Sequence, residues 1–279
     1  AKYEGKARKV LEALLEKYAN NGILDIEDED SLTERFRKKS RSGLAKIAVI
    51  RLPRISNFTD IAPLEAVDEL DVSYVSNISQ FGDPDVVIIP GSKNTISDLL
   101  WMRQNGLEGK ILRHAAKGGI VFGICGGYQM LGQSISDPTG AEQKGTVRGM
   151  GLLPVTTVFE QEKRRTRVSG RFAKVGGALA EMSGVCYEGY EIHMGRTVLS
   201  KGTVPLVYME EEGEQRQDGA QSDHVYGCYM HGIFDMSETV KTFLAAVLRK
   251  KGIDPSKITV RDRNAYKEEQ YDRLASIVR

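Results

Sequence analysis

Cysteine is scarce in this 279-residue chain, with Cys125, Cys186 and Cys228 the three that occur. An odd number without CxxC spacing excludes a complete disulfide framework and gives no structural zinc pattern, so any special cysteine must be special for its reactivity. An excess of either charge is also lacking. With 39 basic and 38 acidic residues the formal net charge is +1, which gives no electrostatic case for nucleic acid or a membrane surface as partner. No stretch approaches the roughly 20 apolar residues of a membrane span, and the opening AKYEGKARKV has no apolar signal-peptide core. A cytoplasmic protein is expected. A phosphate loop of the form G-x-x-x-x-G-K-[ST] is missing too, which excludes the usual nucleotide-activating chemistry from this chain.

What is there is a soluble composition, 41% hydrophobic and 28% charged, long enough for one large α/β domain or a domain with an appendage. Residues 1–45 read as an amphipathic helix followed by a strongly charged linker, DIEDEDSLTERFRKKSRSG. The opening at Ala1 in mid-pattern marks a possible fragment. From Lys46 the short apolar runs KIAVIRL, DVSYVS, DVVIIP and GGIVFGI alternate with helix-compatible segments. That alternation predicts βαβ units and a parallel sheet buried on both faces, with its ligands beyond the carboxyl ends of the strands. After about Gly149 the runs become mixed and predict added antiparallel strands, and helices near 237–250 and 262–278 are expected to close the domain.

The segment GGIVFGICGGYQMLG, residues 118–132, carries the most chemistry. Gly123-Ile124-Cys125-Gly126-Gly127 is G-x-C-x-G, the cysteine form of a nucleophile elbow, between a buried strand run and a helix-compatible run. The turn needs glycines because strand and helix approach closely, and it exposes the thiol at a helix N-terminus that favours thiolate. The Gly126 N–H then points at a developing oxyanion. The bland reading, a small buried residue in a glycine-rich turn, is disfavoured by glycine on both sides.

A thiol nucleophile needs a basic partner, and only His114, His193, His224 and His231 are available. His231 lies past a strand-like run and before a helix start, which places it on the same sheet edge as the elbow, so it is the expected general base. His114 reads as a surface residue on a helix and His224 as structural. Glu191 and His193 sit two apart in a strand and share a face, which permits a role at the mouth of the site or in orienting a partner. In DVVIIPGSKNTISDL a strand ends at Pro90-Gly91. The Gly91 N–H is expected to be the second oxyanion donor, and Ser92, Asn94 or Thr95 to cap the next helix. Ser92 and Gln129 complete the substrate-binding candidates. No metal ligand set is indicated.

Elbow cysteine, late histidine and a P-G loop one strand earlier resemble the class I, or triad-type, glutamine amidotransferases. The motifs IIPGSKNTISDL, FGICGGYQMLG, GYEIHMG and YMHGIFD are similar to those of the amidotransferase domain of the cobyric acid synthase family, from about Lys46 to Phe234. The resemblance implies a flavodoxin-like sheet, Cys125 and His231 as catalytic pair, and glutamine as substrate. It also implies that residues 1–45 are the tail of an absent N-terminal synthetase domain. There ATP and magnesium would activate corrinoid carboxylates, while this chain itself would carry no cofactor. Many triad enzymes have H-x-E, but Ile233 stands two beyond His231. A Cys-His dyad is therefore implied, with Asp235 or Glu191 as conceivable orienters. Two rival expectations are a stand-alone amidotransferase subunit paired with a Mur-ligase-like protein that amidates peptidoglycan, and a non-catalytic module on the same fold.

Overall fold

The computed structural model describes residues 43–257, apart from 212 and 213 and the side chains of 161–163 and 257. The expected helix before the first strand and the one near 262–278 lie outside the described residues.

Two strand runs with no polar interruption form the centre of the principal sheet: β4 (Val86–Ile89) and β6 (Ile120–Ile124) are buried at every position. Such strands suit a sheet covered on both sides, where no face is left for polar residues. Around them stand β1 (Ala45–Ile50), β3 (Leu70–Val75) and β14 (Val225–Cys228), all parallel, with the short β13 (Ala220–Ser222) antiparallel at the edge. The spatial order β13-β14-β6-β4-β1-β3 gives the five parallel strands, numbered by chain order, the sequence 2-1-3-4-5. This is the flavodoxin-like winding that was expected.

Helices follow the strands. They are the single turn α1 (Ala62–Glu65), α2 (Thr95–Gln104), α3 (Leu107–Ala116), the short α4 (Gly126–Leu131) and α5 (Ser237–Lys250). Helix α5 buries Val240, Phe243, Leu244 and Val247, the i, i+3, i+4, i+7 spacing of one apolar face. Asn94 caps α2 by accepting the Ser97 N–H at 3.0 Å, which selects one of the three residues read as possible caps.

The mixed runs after Gly149, together with two short strands before it, build a second sheet. Here β9 (Val155–Phe172) is the long central strand, beside β7 (Ser134–Asp137), β8 (Gly145–Arg148), β11 (Val207–Glu211) and β12 (Glu214–Asp218). Strand β10 (Cys186–Leu199) pairs antiparallel with β9, with a register shift between His193 and Gly195. A separate two-residue pair joins β2 (Ile55–Ser56) to β5 (Gly91–Ser92). Among the described residues no helix is long and apolar enough to cross a membrane.

Candidate functional site

The strand order decides where chemistry can converge. Loops leaving β1, β4, β6 and β14 emerge side by side at the carboxyl edge, and these four carry Asp60, Gly91–Ser92, Cys125 and His231 respectively.

Cys125 sits between β6 and α4 with φ 52° and ψ −109°, a strained conformation for a residue with a Cβ. The elbow is tight for the reason the glycine spacing indicated. A Cβ on Gly127 would lie 1.9 Å from the Ile89 carbonyl oxygen, and one on Gly123 would lie 2.8 Å from the Gly127 backbone. Neither backbone neighbour can yield without moving β4 or α4. Gly127→Ala is therefore expected to cost roughly 3 kcal/mol and to lower the melting temperature by roughly 6–12 °C in a thermal unfolding scan. The Cys125 N–H is anchored by the Cys228 carbonyl of β14 at 2.8 Å, and the thiol makes a long hydrogen bond of 3.7 Å to the Ile192 carbonyl.

That last contact shows why the GYEIHMG segment belongs to the site. The edge of β10 that does not pair with β9 exchanges two backbone hydrogen bonds with His231: Tyr190 N–H to His231 O at 3.1 Å, and His231 N–H to Tyr190 O at 2.9 Å. Tyr190 stacks on the imidazole with centroids 5.3 Å apart, so its ring and its backbone fix the histidine together.

His231 is fully buried, and its Nδ1 donates to Asp60 Oδ2 at 2.7 Å. The other oxygen, Asp60 Oδ1, accepts the Gly232 N–H at 2.9 Å, so the carboxylate grips both ring and backbone. Burial by itself would lower the imidazole pKa from 6.5. The hydrogen bond to Asp60 and the contacts with Cys125 outweigh it and raise the value to about 10. Asn57 adds a polar lid, its Nδ2 lying 3.2 Å from Nδ1 and 2.9 Å from Nε2. An atom so close to both nitrogens cannot lie in the ring plane without striking ring carbon, so the amide rests on the imidazole face.

The expected dyad without an acid is thus corrected, since Asp60 fills the orienting position. Glu191 does not, because it faces the other side of β10, and Asp235 does not, because Asp60 already occupies Nδ1. Asp60 was missed because it is remote from the histidine in sequence, in the turn Phe58–Ile61 after β1. The available signal was topological. The loop after β1 leaves from the same carboxyl edge as the elbow and the histidine, and SNFTDI places an acid there, although β4 and β6 stand between β1 and β14 in the sheet.

The oxyanion loop needs a second correction. Lys93 N–H donates to the Arg54 carbonyl at 2.8 Å, and the pairing continues with Ile55 opposite Ser92 and Ser56 opposite Gly91. In an antiparallel pair the directions alternate, so the Gly91 N–H faces Ser56 and the Ser92 N–H faces away from β2. On that side lies the elbow, since a Cβ on Gly126 would be 3.0 Å from the Ser92 nitrogen. The donors beside Cys125 are the backbone N–H groups of Gly126 and Ser92. Gly91 instead gives clearance, because a Cβ there would be 3.1 Å from His231 Cε1. The Ser92 hydroxyl is spent on the loop, donating to Asp98 Oδ2 at 2.7 Å and accepting the Asn94 N–H at 3.0 Å.

Gln129, expected at the substrate, is buried and braces α4. Its Oε1 accepts from Thr95 Oγ1 at 3.2 Å and its Nε2 donates to Tyr229 Oη at 3.0 Å. His114 is half-buried and not a surface residue, with Nε2 3.1 Å from the Ile120 carbonyl. His224 lies in the turn before β14. Glu191 and His193 do share a face of β10, turned away from Tyr190.

His231 is held above its unfolded-state pKa, so its contribution to stability is complete below about pH 6.5 and is lost as pH rises toward about 10. Melting temperatures across that window should fall in the parent and fall less in Asp60→Asn.

Comparison with known proteins agrees with this geometry. Residues 46–239 match the CobB/CobQ-like glutamine amidotransferase domain. The cobyric acid synthase of Ruminiclostridium cellulolyticum is 53% identical over 260 residues, covering 92% of this chain and 51% of that protein. The cobyric acid synthase of Lachnoclostridium phytofermentans is 44% identical, covering 92% of this chain and 52% of that protein. The chain thus spans about half the length of these curated relatives. Among solved structures, PurLQS from Thermotoga maritima superposes with a TM-score of 0.55 at 17% identity, over 74% of this chain and 99% of that one. A structure described as a glutamine amidotransferase gives 0.52 at 16% identity, over 74% and 99%. The fold is that of the class I glutamine amidotransferases, and the chain belongs to the CobB/CobQ-like glutamine amidotransferase family.

Proposed function

We propose that this chain is the glutamine-hydrolysing part of a cobyric acid synthase, with Cys125 as nucleophile, His231 as acid-base group and Asp60 as the residue that positions the histidine. The observation that carries the reading is the convergence of the strained Cys125 elbow with a buried imidazole bonded at 2.7 Å to a carboxylate.

The Cys125 sulfur attacks the side-chain carbonyl carbon of glutamine, forming the C–S bond while the carbonyl π electrons move to oxygen. The N–H groups of Gly126 and Ser92 take up the developing charge. An imidazolium beside the sulfur favours thiolate before attack, and His231 then gives its proton to the departing nitrogen, which leaves as ammonia. Neutral His231 next takes a proton from water as the water adds to the thioester, and glutamate departs with Cys125 restored. Asp60 keeps Nδ1 protonated throughout, so that Nε2 is the nitrogen that exchanges protons.

In this reading the ammonia passes to a synthetase part beyond this chain, where ATP and magnesium activate corrinoid carboxylates for amidation. Relatives named cobyric acid synthase and twice this length support that assignment over a Mur-ligase-associated subunit. The test is amidation of a corrinoid carboxylate by the full-length enzyme with ATP. Glutamine as nitrogen source should fail in a Cys125→Ala variant, while ammonium salts should still support the reaction. A variant that uses glutamine as well as the parent does would refute the assignment.

A further inference from the structure

Asp98, on α2, is a fully buried carboxylate that no step of the hydrolysis touches. Its Oδ2 accepts the Ser92 hydroxyl at 2.7 Å and the Arg54 N–H at 3.2 Å, and its Oδ1 accepts Arg54 Nη1 at 3.3 Å. Burial pushes the Asp98 carboxyl up, and the bonds from Ser92 and Arg54 do not fully offset the rise. A buried ion pair of this kind adds little net stability. What it supplies is a fixed arrangement of the segments it joins.

Those segments have little support of their own. Strands β2 and β5 are two residues each, paired through Ile55 with Ser92 and Ser56 with Gly91. An isolated two-stranded pair is marginal even when it is longer. Yet this pairing fixes which way the Ser92 N–H points, and so whether a second oxyanion donor faces Cys125.

Asp98 grips the pair from both sides at once. It holds Ser92 in β5 and Arg54 at the entry to β2, and the Arg54 carbonyl itself accepts the Lys93 N–H at 2.8 Å. The Ser92 hydroxyl also accepts the Asn94 N–H at 3.0 Å, so the side chain is tied both as donor and as acceptor. Little drift is tolerated at the elbow. A Cβ on Gly126 would lie 3.0 Å from the Ser92 nitrogen and 3.3 Å from the Ser92 Cβ, so the two backbones are already close.

We propose that Asp98 is a positioning residue for the oxyanion donor: by holding the Ser92 hydroxyl and Arg54 together, it aims the Ser92 N–H at the oxygen of the tetrahedral intermediate. The role rests on the glutaminase reading. Asp98 acts through Ser92 and touches no reacting atom, so its effect falls on the charge that develops in the transition state and spares the binding of intact glutamine. Asparagine at position 98 keeps the shape of the side chain but not the grip. Donors face both carboxylate oxygens, so the amide nitrogen meets a donor whichever way it turns.

In the full-length enzyme, Asp98→Asn and Ser92→Ala should each lower kcat for glutamine about 10–100-fold, the loss expected when an oxyanion donor is displaced and not deleted. KM should change little. Glutamine affinity, measured by calorimetry in the Cys125→Ala background, should be the same with aspartate or asparagine at position 98. Because both substitutions break one contact, the double variant should be no slower than the slower single one. Ser92→Ala keeps the backbone N–H and alters only a half-buried side chain, so it reads the contact even if Asp98→Asn fails to fold. A Ser92→Ala enzyme with the kcat of the parent overturns the role. So does a loss that appears in KM and glutamine affinity instead, or a double variant in which the two losses multiply. Those results, obtained with a parent that hydrolyses glutamine, remove this role alone, whereas a parent without glutaminase activity removes the proposed function and this role with it.

Discussion

Asparagine at position 60 is expected to lower glutamine turnover by about two to four orders of magnitude, the range attached to general acid–base catalysis and to a misplaced histidine tautomer. Asp60 has two attachments, Nδ1 of His231 at 2.7 Å and the Gly232 N–H at 2.9 Å. The amide that replaces it can still accept one of these bonds, so backbone and ring need not move far. It carries no charge and turns an N–H donor toward one partner. If that partner is the ring, Nδ1 must accept and the proton shifts to Nε2, the nitrogen that has to receive protons. The imidazole also loses the carboxylate that helps raise its pKa to about 10. The loss should therefore appear mainly in kcat, with the pH dependence of turnover shifted downward. A KM effect with unchanged kcat would place Asp60 in substrate binding instead. Turnover equal to the parent would leave the histidine without an orienter of consequence.

Removal of the sulfur has a larger expected effect. Cys125→Ala should reduce glutaminase activity by at least about 10⁴-fold, since deleting the nucleophile of a covalent mechanism removes both steps and leaves only binding and the oxyanion donors. The fold should survive. Alanine is smaller than cysteine, the position already tolerates a Cβ at φ 52°, and the contacts the thiol gives up are a long 3.7 Å hydrogen bond to the Ile192 carbonyl and its interaction with His231. A melting temperature close to that of the parent, together with abolished glutaminase activity, separates catalysis from folding. Cys125→Ser is the informative companion, because the hydroxyl keeps the shape but is a poor nucleophile beside an imidazolium, and its activity should stay near the alanine level.

How much of this was legible beforehand depends on how local each signal is. The elbow could be read directly, because Gly123 and Gly127 are required by contacts within one strand-turn-helix unit, and the structure shows those contacts. His231 could be read from its place between a strand run and a helix start. Asp60 could not, since nothing in SNFTDI distinguishes an orienting acid from a solvated turn until the folded chain carries the long loop after β1 across to the histidine after β14. The oxyanion donor was misread by one residue for a related reason. Gly91 draws attention as the flexible residue, yet the β2–β5 pairing, a contact between segments far apart in sequence, decides which N–H faces the elbow. Glu191 and His193 were correctly placed on one face by the two-residue period of a strand. Which face it was required knowing that the opposite one carries Tyr190 against the catalytic ring.

The most direct test of Cys125 as the activated nucleophile is the location of the adduct left by a glutamine-analogue electrophile, read by mass spectrometry on the intact chain. Exposure alone would favour Cys186, which is exposed, whereas Cys125 is 6% exposed and Cys228 is fully buried. Activation by His231 and recognition of a glutamine side chain predict one adduct, on Cys125, formed more slowly in Asp60→Asn and suppressed by excess glutamine. An adduct on Cys186 with Cys125 unmodified would contradict the account.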